Sequence, residues 1–209
     1  QMKEEIMLRT FHPSDREALE TIVRETWQYD RLCSPRTAKK LARVYVSSCL
    51  ANQTFTQVAL VHGHPVGVIM GKDIRQHHCP LSLRLHWVLS IMSLYLSSEG
   101  RRVSKIFAGV QNIDQELLAR SGKSYSGELA FFAISQAYRG RGLGKRMFYM
   151  AVEYLRSQNI REFYLFTDTS CHYPFYEHLG MTRRCELQDT MQVAGESEAM
   201  TFFLYDCSC

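Results

Sequence analysis

Residues 138–147 read YRGRGLGKRM, and this stretch decides how the chain is interpreted. Glycines alternate with other residues at Gly140, Gly142 and Gly144, and arginines and a lysine stand among them. An apolar run that reads as a strand precedes the stretch, and an amphipathic run that reads as a helix follows it. A glycine turn that opens a helix presents free backbone N–H groups and the positive end of the helix dipole, so it predicts a bound phosphate or pyrophosphate.

Two common nucleotide-binding motifs do not fit this turn. A P-loop needs Gly-x-x-x-x-Gly-Lys followed by Ser or Thr, but Arg139 stands at the first glycine position and Arg146 follows the lysine. The Rossmann fingerprint is Gly-x-Gly-x-x-Gly near the start of a βαβ unit. Here the three glycines are spaced two by two, late in the chain, after strands that read as antiparallel. Neither nucleotide fold is predicted.

The composition is that of an ordinary globular chain, with 45% apolar and 22% charged residues over 209 positions. The seven cysteines are odd in number and follow no repeating spacing, which predicts reduced thiols and a cytoplasmic location. The net charge is a modest +4, and no long basic run is interleaved with aromatic residues. Nucleic acid is therefore not a predicted partner.

Strand and helix patterns alternate on both sides of the glycine turn. Upstream, we predict a short strand, a helix, a second helix with Ser34 as N-cap and Pro35 at its first position, and a hairpin joined by residues 62–65. An apolar central strand, residues 125–135, leads into the turn. Downstream, a helix, a second central strand, a short helix closed by Gly180 and two final strands complete the chain.

The pattern changes between residues 75 and 123, where two helices interrupt the strands. Residues 80–98 are apolar around most of the helix circumference, but they include Arg84 and His86 and are too short for a bilayer, so no membrane span is predicted. Near-uniform apolarity predicts a helix buried within the chain or against a second copy, which would make a homodimer. A lid over the substrate is the alternative.

The motif Arg-x-x-Gly-x-Gly is formed by Arg139, Gly142 and Gly144, and FYEHLGM follows one strand later at residues 175–181. At these two motifs the chain resembles the GNAT superfamily of acetyl-CoA-dependent N-acetyltransferases, and the order of elements resembles it over nearly the whole chain. The resemblance implies an α/β (α+β) fold, with a mixed, mostly antiparallel sheet of about six to seven strands flanked by helices. It implies one domain over residues 1–209, with a helical insertion at about 75–123.

The resemblance also implies acetyl-CoA as co-substrate, without a metal. In GNAT folds the central strand splays from its neighbour and its backbone binds the pantetheine arm, which corresponds here to Phe132, Ala133 and Ile134. Ser170 and Tyr173 are further cofactor-binding candidates, at positions where the family more often has asparagine and a small residue. The pyrophosphate would lie on the turn, with the candidates Arg139, Gly140, Arg141, Gly142, Leu143, Gly144 and Lys145.

Acetyl transfer to an amine needs a base for the acceptor and a proton for the departing thiolate. Tyr176 matches the family's tyrosine that protonates the coenzyme sulfur. Glu128, at the start of the central strand, matches a glutamate that acts as base in some GNAT enzymes. Counting with period two places Glu128 on the same face as Ala130, Phe132 and Ile134. His172, Tyr173 or no dedicated base are the alternatives.

Other reactive groups rank lower. His62 with His64, and the run from His77 to Cys79, lack a second ligand pair at the spacing of a tetrahedral site, so no metal site is predicted. Cys171 lies near the expected thioester, but no histidine and carboxylate partner is arranged for it, so we interpret it as a packing residue. Cys207 and Cys209 are interpreted as incidental.

The predicted function is transfer of acetyl from acetyl-CoA to a primary amine in a ternary complex. Four acids of the final strands favour a cationic acceptor (a polyamine, an aminoglycoside-like compound or a lysine side chain), whereas the basic insertion favours an anionic one. An insertion that covers the pocket favours a small molecule over a protein. The alternatives are a non-catalytic acyl-CoA-binding sensor or interaction module, a protein-lysine or N-terminal acetyltransferase, and a longer acyl donor. The four acids are Glu186, Asp189, Glu196 and Glu198.

Overall fold

The computed structural model describes residues 5–193 and 195–208. Strands and helices follow one another in the predicted order. The strands are β1 (Ile6–Arg9), β2 (Phe55–Val61), β3 (His64–Asp73), β4 (Gly127–Ile134), β5 (Glu162–Asp168), β6 (Thr182–Val193) and β7 (Glu196–Ser208). The helices are α1 (Arg16–Thr26), α2 (Pro35–Ala51), α3 (Leu81–Tyr95), α4 (Ser98–Arg120), α5 (Leu143–Ser157) and α6 (Pro174–His178).

The seven strands form one sheet in the order β1-β2-β3-β4-β5-β7-β6. Among the described residues, β4 and β5 run parallel and every other neighbouring pair is antiparallel, which confirms the predicted mixed, mostly antiparallel sheet. The parallel pairing is short, because it joins Gly127 to Phe163 and Glu128 to Tyr164 and goes no further. Beyond Glu128 the two strands diverge, and a gap opens in the middle of the sheet.

Helices cover both faces of the sheet. On one face, α1 and α2 bury an apolar cluster that includes Phe131 and Ala133 of β4. Further along the same face, Ile113 and Leu117 of α4 pack on β5 and β7. The other face is covered by α5, whose stripe of Met147, Phe148, Ala151 and Leu155 is fully buried. The gap between β4 and β5 therefore lies between the face covered by α1, α2 and α4 and the face covered by α5.

The residues predicted to begin α2 and to form the β2–β3 turn lie close to their predicted positions. Ser34 precedes α2 and Pro35 is its first residue, although the Ser34 hydroxyl donates to Glu99 of α4 at 2.6 Å rather than capping its own helix. The β2–β3 turn is tighter than the predicted four residues. His62 and Gly63 make it alone, with φ of 50° and 79°, and His64 already belongs to β3.

The predicted insertion consists of α3 and α4, between β3 and β4. Within the described ranges, no helix combines the length and apolarity needed to cross a membrane. One face of α3, including Ser90 and Leu94, is buried, but the opposite face is open to solvent. The prediction that α3 is buried within the chain is therefore wrong for its solvent-exposed face. The neighbouring helices α2 and α4 cover only the other side of α3. Its exposed large apolar residues are Leu81, Leu85, Val88, Leu89, Met92, Tyr95 and, just beyond, Leu96.

The joint between α3 and α4 is close-packed. A Cβ atom at Gly100 would lie 1.8 Å from the Leu94 carbonyl oxygen, so only glycine allows this approach. The Ser97 hydroxyl accepts a hydrogen bond from the Gly100 N–H at 3.0 Å and caps α4. Arg101 donates to the Tyr95 carbonyl at 2.8 Å. These contacts fix the orientation of α3 relative to α4.

The joint predicts opposite effects for two glycines of α4. Gly100→Ala forces backbone to move and should lower the free energy of unfolding by about 1–3 kcal/mol. Gly109→Ala is the matched control, because no atom of the described residues lies within 4 Å of the added Cβ, and it should raise that free energy by up to about 1 kcal/mol. Urea unfolding of both variants measures the difference. Equal effects of the two substitutions would contradict the close-packed joint.

Candidate active site

The gap between β4 and β5 begins at a β-bulge. Across the β3–β4 ladder, Met70 opposes Phe131 and Gly71 opposes Leu129, so Ala130 is an extra residue in β4. A bulge bends its strand and increases the local twist. The bulge lies two residues after Glu128, the last residue of β4 that pairs with β5. The bend therefore coincides with the point where the two central strands separate.

The bulge also changes which side chains share a face of β4. Phe131 and Ala133 face α1 and α2, while Phe132 and Ile134 pack on the α5 side. Glu128 interacts electrostatically with Cys49 of α2 and with α4. It therefore shares the face of Phe131, and the period-two expectation that grouped it with Phe132 and Ile134 is wrong. The extra residue at Ala130 shifts the alternation by one.

The glycine turn has the backbone geometry that its sequence predicts. Gly140 and Gly142 have φ of 73° and 78°, values that residues other than glycine rarely adopt. Gly142 is the N-cap residue of α5, so the first N–H groups of that helix open into the turn. A Cβ at Gly144 would lie 3.3 Å from the Phe175 ring, so glycine lets α5 approach α6 closely. This cradle fits a pyrophosphate.

The cations of the turn are not equivalent. Arg139 donates through Nε to the Ile134 carbonyl at 2.9 Å, so it fastens the turn to the end of β4 and occupies one of the backbone groups considered for pantetheine. Arg141 lies 5.3 Å from the Tyr138 ring centroid, and Lys145 lies 6.0 Å from that of Tyr149. Both are exposed at the start of α5, where they add positive charge beside the helix terminus.

Ser170 and Tyr173 follow β5 at the other side of the gap. The Ser170 N–H donates to Asp168 Oδ1 at 2.7 Å, and its hydroxyl also hydrogen-bonds to that carboxylate. Ser170 is thus held at the end of β5. The Tyr173 ring lies 4.9 Å from that of Phe203 in β7, beneath the Arg183 guanidinium. Contact of either residue with a cofactor stays a prediction.

Tyr176 lies on α6 with its ring between those of Phe175 and Tyr205, at centroid distances of 5.3 and 6.2 Å. Burial, with a smaller contribution from Cys171, raises the pKa of Tyr176 above its ordinary value. In the part of the chain that the structure describes, no group hydrogen-bonds to its hydroxyl. The side chain is therefore protonated at neutral pH, and its proton is available to an acceptor.

A cavity of about 420 Å³ lies on the α4 side of the gap. Its walls come from the end of α1, from α2 and α4, from the end of β5 and from the β6–β7 hairpin. Aromatic rings dominate one wall: Trp27 and Tyr45 lie 5.6 Å apart, and Tyr29 meets Phe107 edge to face at 5.7 Å. Asp168 and Ser170 line the end nearest β5. The faces of these aromatic rings suit an organic cation.

Three carboxylates interact beside this cavity: Glu128, Asp168 and Asp114 of α4. Burial raises the pKa of Glu128, and the Lys72 ammonium and the Tyr164 hydroxyl partly offset the rise. Burial, Glu128 and Asp168 together raise the pKa of Asp114 to about 7. Our sequence reasoning missed Asp114 and Asp168. Helical counting would have found Asp114, because it lies seven residues after Phe107 and shares its face.

The acids of the final hairpin contribute less than their number suggests. Glu198 lines the cavity, but Arg31 binds it at 2.8 Å. Glu186 is exposed and lies 3.4 Å from Arg183. Asp189 and Glu196 are exposed on the hairpin. The negative charge at the cavity therefore comes from the sheet and α4 rather than from the hairpin as a whole.

The lower-ranked candidates lie apart from this site or are in an unreactive state. Burial, followed by Asp168, raises the pKa of Cys171, so it is a thiol at neutral pH, in line with its interpretation as a packing residue. His77 contacts the Ala51 carbonyl at 2.8 Å through Nε2. Over residues 5–193 and 195–208, no three His, Cys, Asp or Glu side chains are grouped to hold a metal. Cys209 lies outside the described residues.

Comparison with known proteins gives a consistent result. Residues 107–181, which include Glu128, the glycine turn and Tyr176, match the model of the Acetyltransferase (GNAT) family. No curated protein matches the chain. Solved structures share the fold at low identity, among them an N-acetyltransferase from Staphylococcus aureus Mu50, with 10% identity, 98% of each chain covered and a TM-score of 0.58.

Two further neighbours are informative. The PaiA N-acetyltransferase from Thermoplasma acidophilum, in complex with coenzyme A, has 14% identity and a TM-score of 0.54, and the match covers 98% of this chain and 99% of that one. The ribosomal-protein-alanine N-acetyltransferase from Brucella melitensis has 12% identity and a TM-score of 0.57, and the match covers 97% and 99%. The resemblance seen in the two sequence motifs is confirmed.

The carboxylate cluster predicts a pH-dependent cost in stability. The folded-state pKa of Asp114 lies above its unfolded value, so the native state binds the proton more tightly and stability falls as pH rises from about 4 to 7. Asp114→Asn should therefore raise the free energy of unfolding at pH 8 by a few kcal/mol, since each pKa unit is worth about 1.4 kcal/mol, and have little effect near pH 4.

Urea unfolding at pH 4, 6 and 8 checks this expectation. The control is Asp189→Asn, which changes an exposed aspartate of β6. A gain in stability from Asp114→Asn that is the same at every pH would show that the carboxylate cluster does not cause it.

Proposed function

We propose that this chain, whose residues 107–181 match the GNAT family model, transfers an acetyl group directly from acetyl-CoA to a primary amine within a single domain. One observation carries the proposal: β4 and β5 separate after Glu128. The glycine turn and Tyr176 lie on one side of the gap, and a cavity with carboxylates lies on the other. A donor and an acceptor entering from opposite sides would meet between the strands.

The residues present fit acetyl-CoA, which supplies a thioester-activated acetyl group. The turn from Gly140 to Gly144, with Arg141 and Lys145 beside it, would hold the pyrophosphate through backbone N–H groups. Among the described residues, the edge of β4 from Phe132 to Ile134 has no strand partner on the β5 side, and it would hold the pantetheine arm through main-chain groups. Ser170 and Tyr173 stand at the opposite edge, next to where that arm would lie.

Two side chains would carry the proton transfers. Glu128 accepts a proton from the ammonium of the acceptor, directly or through water, and its raised pKa makes it a better base than an exposed glutamate. The freed amine attacks the acetyl carbonyl carbon, so the C–N bond forms and the C–S bond breaks, and the nitrogen releases its surplus proton to solvent as the amide forms. Tyr176 donates its proton to the departing sulfur, and solvent returns both groups to their starting states.

A small cationic amine is the acceptor that the cavity supports best. Its volume of about 420 Å³ is at the small end of ligand pockets, and Arg31 and Glu198 pair across its lining. Aromatic rings and Asp168 suit an ammonium group.

For the location of the protein we propose the cytoplasm. The six described cysteines are all unpaired, which supports a reducing compartment.

Thiol release from acetyl-CoA across a panel of amines tests the proposal. The panel contains polyamines, aminoglycosides, amino acids, aryl amines and lysine or N-terminal peptides. We expect a cationic small amine to be acetylated, and Tyr176→Phe to lower kcat by about 10²-fold without weakening acetyl-CoA binding. Tyr149→Phe, an exposed tyrosine of α5, is the matched control and should retain full activity.

Replacement of the proposed base gives a separate prediction. Glu128→Gln removes the proton acceptor but keeps the size of the side chain, so we expect kcat to fall by about 10²-fold and its pH dependence at low pH to change. Acetyl-CoA affinity, measured by calorimetry, should stay the same. Unchanged kcat in this variant would show that solvent deprotonates the acceptor.

The same assay separates the alternatives. Tight acetyl-CoA binding with thiol release at background for every amine would overturn the enzyme proposal in favour of a sensor module. Turnover confined to peptides would identify a protein acetyltransferase. Faster turnover with succinyl- or octanoyl-CoA would identify a longer acyl donor.

A further inference from the structure

The exposed face of α3 has a regular pattern. Five of its apolar side chains are separated by four, three, four and three positions, and two more flank them. All seven are between 44% and 82% exposed. The five are Leu81, Leu85, Val88, Met92 and Tyr95, and the flanking residues are Leu89 and Leu96.

A four–three repeat of apolar residues is the seam along which two helices interlock side by side. Here the repeat runs along all of α3, on the side that faces away from α2 and α4. Monomeric proteins seldom expose a contiguous apolar patch of more than a few hundred Å². The seam is therefore the kind of surface that another helix covers.

The area and symmetry of the seam indicate the occupant. Its exposed fractions correspond to roughly 700 Å² per chain, close to the ~800 Å² per partner that a standard interface buries. The repeat is also close to symmetric about its middle residue, Val88: Leu81 and Tyr95 each lie seven positions away, and Leu85 and Met92 lie three and four positions away. A two-fold axis near that point sets each half of the seam against the other half in a second copy, as a dimer of identical chains requires.

Charge favours a second copy over a lipid surface. A helix that lies on a membrane carries several Lys or Arg residues on its polar face. On α3 the exposed polar residues are Ser82 and Arg84, and the face opposite the seam is buried in the protein.

We propose that two copies of this chain pair through α3, with the helices antiparallel about an axis near Val88. In this arrangement Leu81 faces Tyr95 of the partner subunit, and Leu85 faces Met92 of the partner subunit. Antiparallel packing opposes the two helix dipoles and keeps the two Arg84 side chains apart. Since the contacts at Gly100 and Arg101 fix α3 relative to α4, the dimer also braces the helix that brings Phe107 to the cavity.

Size-exclusion chromatography with light scattering tests the pairing. We expect twice the chain mass for the wild type, with dissociation on dilution, and the mass of one chain for Met92→Glu. Met7→Glu is the matched control, because Met7 of β1 and Met92 are both 60% exposed, and it should remain dimeric. A wild type that is monomeric at all concentrations overturns the proposal, as does a Met92→Glu variant that stays dimeric.

Two further measurements sharpen the test. Sedimentation of a monomeric wild type with anionic vesicles, lost in Met92→Glu, would assign the face to a membrane and overturn the dimer. For the orientation, Leu81→Cys and Tyr95→Cys are made in a Cys79→Ser background. Antiparallel helices predict faster disulfide formation in the mixture of the two variants than in either alone, and the reverse result overturns the antiparallel arrangement.

Discussion

The separation of β4 from β5 is the constraint on which the rest of the structure depends. Two pairs of residues hold the strands together, and the bulge at Ala130 then bends β4 away. A continuous sheet would seal the α5 side from the α4 side. Because the bend comes so early in the strand, most of one edge of β4 lacks a strand partner, and both sides of the molecule reach the same gap.

The two sides differ in the charge they accept. On the α5 side, the glycine turn offers N–H groups and a helix terminus, which suit an anion. On the α4 side, Glu128, Asp168 and Asp114 stand near aromatic rings, which suit a cation. Burial acts on both sides in the same direction: it keeps the proton on Tyr176 and raises the pKa of Glu128 and of Asp114. The proposed proton donor and proton acceptor thus arise from one physical cause.

Local patterns in the sequence were sufficient for much of this structure. The order of elements, the glycine turn and the position of Tyr176 all depend on residues close together in the chain. The misassigned face of Glu128 depends on a bulge that exists only through pairing with β3, and within β4 neither Ala130 nor its chain neighbours Leu129 and Phe131 is a glycine or proline that would mark it. The role of Arg139 as an anchor for Ile134 and the exposed face of α3 depend likewise on where distant segments pack, which periodicity alone does not give.

Two features oppose the stability of the isolated chain, and a bound ligand or partner would offset each of them. Three interacting carboxylates next to a cavity cost free energy when ionised, and an ammonium group held between them would reduce that cost. An apolar seam along α3 costs free energy in water, and a second seam would remove it from solvent. The helix α4 connects the two, because it carries Asp114 at one end and is fixed to α3 at the other. Because α4 lines the cavity and is fixed to α3, occupation of the cavity would restrain α3, and occupation of the seam would restrain α4.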